Sequence, residues 1–194
     1  MARRLILLRH PPVATAWTGR CYGQSDMGLS RAGQAMIAPL VEAQRAVRPD
    51  MVLHSDLRRT RIVASAIARR LRIPMLAAPL WRERDFGAWE GERWDRIYRR
   101  TGNAMDGMIT HPDSFRPGGT GETTQELIDR VAAAIDQVPA GARILIVSHG
   151  GPIAAARFLR QKRREIADLP ALIIPTGTQI QLDLQDQDAL IRAL

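Results

Sequence analysis

Cysteine occurs once in this chain of 194 residues, as Cys21. One thiol cannot close an internal disulfide and leaves no Cys-x-x-Cys pair for zinc. It also fails as the nucleophile of a Cys-x5-Arg phosphatase loop, because position 27 is Met27 and not arginine. The four histidines, His10, His54, His111 and His149, show neither His-x3-His nor His-Glu-x-x-His spacing, so nothing local argues for a metal site. Lysine and asparagine also occur once each, as Lys162 and Asn103. Arginine thus supplies nearly all of the 28 basic residues, which reads as a compositional bias more than as function.

Long apolar runs are missing too. A membrane span needs about 20 such residues, and nothing here approaches that length. The basic start followed by Leu5–Leu8 is shorter than the roughly 7–15 apolar residues of a signal peptide, so a cytoplasmic protein is expected. Aromatics make up only 5% of the chain. None interleaves with the basic runs Arg69-Arg70-Leu71-Arg72 and Arg160-Gln161-Lys162-Arg163-Arg164. These runs read as solvated helix faces, and no nucleic-acid partner is expected. The net charge of +8 still steers small anions toward the molecule. Hydrophobic content of 45% and charged content of 25% fit one globular domain over residues 1–194 with a sizeable core.

Short apolar runs are present, and they end in chemistry. Leu5–Leu8 leads into Arg9-His10, Met51–His54 into Ser55-Asp56, and Ile144–Val147 into Ser148-His149. Each reads as a buried strand, with further strands at Met75–Ala77 and Gly177–Leu184. Helices are expected between them. One starts after Ser30 and runs to Val47, with Pro39 as a kink or a later start. Others cover Leu57–Leu71, Arg93–Tyr98 and Pro152–Leu159. A further helix begins at the capping box Thr123-x-x-Glu126 and ends near Val138. Trp81–Glu92 and Gly102–Gly121 read as loops, the latter as a loop or lid. The alternation implies a three-layer α/β/α fold with a mainly parallel sheet.

In a parallel sheet, His10 and His149 stand at one edge, where ligands of open α/β sheets bind. Arg58 and Arg59 open a helix near that edge, and Gly150-Gly151 opens another, so helix dipoles add to the charge. The set describes a phosphate pocket. A neutral imidazole can attack phosphorus, and arginines can stabilise the transition-state charge. The leaving alkoxide then needs an acid. Glu83, Asp85 and Glu90 lie beside aromatics that can raise a carboxyl pKa.

Leu8-Arg9-His10, Ser55-Asp56-Leu57-Arg58-Arg59, Glu83-Arg84-Asp85-Phe86-Gly87 with Trp89-Glu90-Gly91, and Ser148-His149-Gly150-Gly151 resemble, in order and spacing, the motifs of the histidine phosphatase (phosphoglycerate mutase-like) superfamily. The resemblance implies a metal-independent phosphomonoesterase with no cofactor, acting on a small-molecule phosphate ester. It implies His10 as the phosphorylated nucleophile, Arg9 and Arg59 as phosphoryl ligands, His149 completing the pocket, and Glu83 as proton donor. Gln24 and Gly150 are expected to contact substrate. Two positions depart from the family: Pro11 stands where glycine is usual, and Ala16 where many members have asparagine, so a contact from Gln24 or Thr18 is expected instead. The stretch Gly19–Asp26 with Leu29-Ser30 resembles α-ribazole phosphatases, which makes α-ribazole 5′-phosphate the expected substrate. A mutase or sugar-phosphate phosphatase on the same chemistry is the alternative. A catalytically silent phosphate-binding module is another. Oligomeric state is left open, with a homodimer as one candidate.

Overall fold

The computed structural model describes residues 3–161 and 165–184. Five strands form its sheet: β1 (Arg3–Arg9), β2 (Met51–His54), β3 (Met75–Ala77), β4 (Arg143–Ser148) and β5 (Gln179–Leu184), in the order β3-β2-β4-β1-β5. All neighbours are parallel except β1 and β5, which are antiparallel. The sheet is thus mainly parallel, as expected.

The strand cores are apolar at successive positions because both faces are covered. Leu5, Leu7, Ile144 and Ile146 face one layer, with Leu127, Val131 and Ile153. Ile6, Leu8, Leu145 and Val147 face the other, with Leu40, Val63 and Ile67. The first layer comprises α6 (Thr124–Asp136) and α7 (Gly150–Leu159). The second comprises α2 (Ile37–Val47) and α3 (Arg58–Leu71).

Local chemistry sets the helix ends. Ser30 accepts the Gly33 N–H and caps α1 (Arg31–Ala35). The expected single helix to Val47 breaks at Met36, and Pro39 sits in the first turn of α2, where its missing N–H costs no hydrogen bond. The capping box forms in both directions. Glu126 N–H donates to Thr123 Oγ1 at 3.1 Å, and Thr123 N–H to Glu126 Oε2 at 2.9 Å. Helix α4 (Trp94–Thr101) follows the acid loop, and α5 (Gly107–Thr110) lies in the expected lid segment.

That segment is two things. Its first half forms short helical turns over a cavity. Its second half, Pro117–Gly121, braces the acid loop: a Cβ on Gly118 would lie 2.5 Å from Ala88 N and from Phe86 O. The Lys162–Arg164 part of the basic run lies outside the described residues. Among the described residues no helix is long and apolar enough to cross a membrane.

Candidate active site

The sheet register assembles the site. Arg9 pairs with Ser148 across β1 and β4, so the next residues, His10 and His149, emerge side by side. His10 N–H donates to Ser148 O at 3.0 Å, and the two imidazole centroids are 5.1 Å apart. The chain leaves β1 toward β2 and leaves β4 toward β5, in opposite directions along the sheet. That reversal between adjacent strands opens the crevice.

His10 is fully buried. Its Nδ1 lies 2.7 Å from Pro11 O. A carbonyl only accepts, so Nδ1 carries the proton and Nε2 keeps its lone pair. Nε2 is buried and has no hydrogen-bond partner among the described residues. Burial, then the Arg59 charge, push the His10 pKa down to about 3, so the ring is neutral at ordinary pH. Pro11, the departure from the family pattern, therefore supplies the carbonyl that sets the tautomer, and its lost N–H plays no part in that contact.

Arg59 is also fully buried, whereas Arg58 is exposed. Arg59 Nη2 donates to Gly23 O at 2.6 Å, Nη1 to Ser25 O at 2.7 Å, and Nε to His149 Nδ1 at 3.2 Å. A guanidinium only donates, so His149 Nδ1 is the acceptor and its Nε2–H reaches Ser55 Oγ at 2.8 Å. Both His149 nitrogens are thereby engaged by protein. Burial, then the Arg59 charge, hold His149 well below its ordinary pKa. Arg9 donates from Nη1 to Ile174 O at 2.6 Å, while its Nε is buried and without a partner among the described residues.

The three loop carboxylates separate by position. Glu83 accepts Gly151 N–H at 3.1 Å and Arg84 N–H at 2.9 Å, and it lines a cavity of about 490 Å³. Gly151 has to be glycine here, since a Cβ would lie 2.4 Å from Glu83 Oε1. Asp85 instead caps its own turn through Gly87 N–H. Glu90 clamps the preceding loop by accepting Gln24 N–H and Ser25 Oγ–H, each at 2.8 Å.

Gly150 and Arg9 line the same cavity, as does Tyr22, whose ring centroid lies 6.4 Å from that of His10. Gln24 is half-buried, and its side-chain amide donates to Glu83 O at 3.2 Å. Thr18 is exposed. Cys21 is buried with Trp89 and Ile97, and burial pushes its thiol pKa up. Sequence reading passed over Tyr22 and Arg20 as site residues, because both sit in an aperiodic loop where spacing carries no signal, and it weighed Glu90 as an acid where the structure uses it to clamp that loop.

Two imidazoles, the buried Arg59 guanidinium, the half-buried Arg9 and a carboxylate thus meet at one sheet edge. The chain belongs to the histidine phosphatase superfamily (branch 1), whose sequence profile matches residues 5–193. Its class is therefore phosphoric monoester hydrolase. A metal-independent phosphoserine phosphatase of Arabidopsis thaliana is 28% identical over 156 residues, 78% of this chain and 66% of that protein. The probable phosphoglycerate mutase GpmB of Klebsiella pneumoniae is 33% identical over 153 residues, 76% of this chain and 69% of that protein. Among solved structures, a mycobacterial glucosyl-3-phosphoglycerate phosphatase superposes with a TM-score of 0.81 at 26% identity, covering 97% of this chain and 93% of that one. The α-ribazole phosphatase of Shigella flexneri shares the fold, with a TM-score of 0.79 at 23% identity over 95% of this chain and 92% of that one.

Proposed function

We propose that this chain hydrolyses a small-molecule phosphate monoester through a phosphohistidine on His10, with residues 1–194 acting as one domain and no metal in the reaction. The observation that carries this reading is His10 itself: a neutral ring, protonated at Nδ1, with a buried and unpartnered Nε2. Nε2 forms a bond to phosphorus as the ester P–O bond breaks. Arg9 and Arg59 stabilise the charge on the phosphoryl oxygens. Glu83 gives its proton to the leaving alkoxide. It then takes a proton from the water that cleaves the phosphohistidine, which restores free His10 and releases inorganic phosphate. His149, with both nitrogens engaged, acts by orienting Arg59. Gly150 lets the ligand approach the start of α7, and Gln24 holds the backbone of Glu83.

The loop Gly19–Asp26 supports α-ribazole 5′-phosphate as the ester. The relatives named above keep a phosphoglycerate, phosphoserine or sugar-phosphate ester as the second reading. The test is turnover of p-nitrophenyl phosphate in EDTA, with and without vanadate. Turnover should survive EDTA and stop with vanadate, and an acid-labile phosphoenzyme should vanish in His10→Ala. A strict metal requirement, or label persisting in His10→Ala, overturns the mechanism. A screen that includes α-ribazole 5′-phosphate, phosphoserine and 3-phosphoglycerate tests the substrate.

A further inference from the structure

The cavity beside the phosphoryl pocket has a composition of its own. Its volume of about 490 Å³ lies within the roughly 300–1,000 Å³ of sites that enclose drug-sized molecules. Arg9, Gly150 and Glu83 line it, and the rest of the wall is largely apolar. Met105, Met108 and Ile109 come from the segment around α5, and Ile166 and Leu169 from the short helical stretch before β5. Ile173 follows that stretch and borders Gly150, its Cγ2 lying 3.4 Å from where a Cβ on that glycine would stand.

Ile173 is 48% exposed at this wall, one of three large hydrophobics so exposed among the described residues. Exposed apolar side chains scattered singly need no explanation, but this one continues a buried apolar surface into the open.

Two arginines in the same walls are already fastened. Arg20 donates to Ala16 O at 3.0 Å and to Gly91 O at 2.8 Å, and Arg84 to Thr124 Oγ1 at 3.0 Å. Arg9, which serves the phosphoryl group, and the acids Glu83 and Asp106 line the cavity with those two arginines. A second anion on the substrate would therefore meet guanidiniums that already donate to protein oxygens. A ring would meet Phe86 and Trp94, which are edge to face at 5.5 Å, and the two methionine thioethers. Both kinds of surface favour aromatic contact.

We propose that the leaving alcohol carries a bulky, ring-bearing apolar body that fills this cavity, and that the site selects such esters over those of three-carbon acids. The proposal rests on the phosphatase reading above. It extends that reading from one candidate ester to a class, and assigns the selection to the Met105–Ile109 and Ile166–Ile173 walls.

The test compares kcat/KM for ethyl, 2-phenylethyl and 2-(naphthyl)ethyl phosphate, whose alcohols are similarly acidic and so make similar demands on the proton donor. Phosphoserine and 3-phosphoglycerate complete the panel. The expected rise from ethyl to naphthylethyl is on the order of 100-fold, since each added apolar group contributes about tenfold or more. Ile173→Asp, at a half-exposed position that the fold does not bury, should cut that rise by about tenfold. A flat series, a preference for the three-carbon acids, or a rise unchanged in Ile173→Asp overturns the inference. If the His10 phosphoenzyme still forms in those cases, the phosphatase reading stands. If no ester turns over and no phosphoenzyme forms, both fail together.

Discussion

A carbonyl and an imidazole explain why proline is tolerated after His10. The group used by the nucleophile is Pro11 O, and proline keeps its carbonyl while losing its N–H. At Glu83 the argument concerns a proton. The carboxylate is held by the N–H groups of Gly151 and Arg84 on the wall of the cavity that would receive the leaving group. Glu83→Gln keeps the shape and removes the proton. Its kcat on alkyl phosphates should fall by about 10²–10⁴. The fall on p-nitrophenyl phosphate should be much smaller, because that phenolate leaves without protonation. Equal losses on the two esters would move the acid role to another group. Arg58 and Arg59 show how sharply one position matters. They are neighbours at the start of α3, yet one faces solvent and the other is fully buried against His149, Gly23 and Ser25.

At the scale of elements, the acid loop has one short helical turn of its own, Gly87–Trp89, and is otherwise held by its neighbours. Glu90 ties it to the Gly23–Ser25 loop, and Glu122 N–H donates to Asp85 O at 2.9 Å. The Pro117–Gly121 turn fits into it from the other side, with Gly118 at φ +62°. Alanine there meets both a left-handed backbone and two main-chain atoms at 2.5 Å. Gly118→Ala should cost about 1–3 kcal/mol and lower activity, because Glu83 hangs on the same loop. Gly119 has φ +81° with nothing near its Cβ position, so Gly119→Ala should carry only the backbone cost. Urea midpoints of the two variants check this. Equal losses would show that packing onto the acid loop contributes nothing.

For the whole molecule, the buried histidines link stability to pH. His10 in the folded chain has its pKa near 3, and His149 lies well below the ordinary value. In the unfolded chain both titrate near 6.5. Between those values the unfolded state binds more protons, so stability falls as pH drops below about 6.5. His10 alone should lose about 2–3 kcal/mol by pH 4.5, from its folded pKa near 3. Urea unfolding at pH 7.5 and 4.5 measures the difference, and His10→Asn should shrink it. If the variant loses as much stability as the parent, the imidazole is not the linked group. The net charge of +8 acts at the same scale by steering anionic esters, so kcat/KM should also weaken with added salt.

Much of this molecule was legible in the chain. Strands β1, β2 and β4 could be read because apolar runs buried on both faces have no competing pattern. The Thr123–Glu126 box could be read because capping needs particular side chains three residues apart. Arg9, His10, Arg59 and His149 could be placed near one edge because parallel strands align their carboxyl ends. The rest depended on contacts between distant segments. Which of Glu83, Asp85 and Glu90 faces the cavity follows from Gly151 and the Gly23–Ser25 loop, more than 55 residues away on either side. The break at Met36, the engagement of both His149 nitrogens and the apolar wall at Ile173 have the same origin. Local pattern determines the elements and the residues that end them, while the direction a side chain faces from an aperiodic loop is set only by what packs against it.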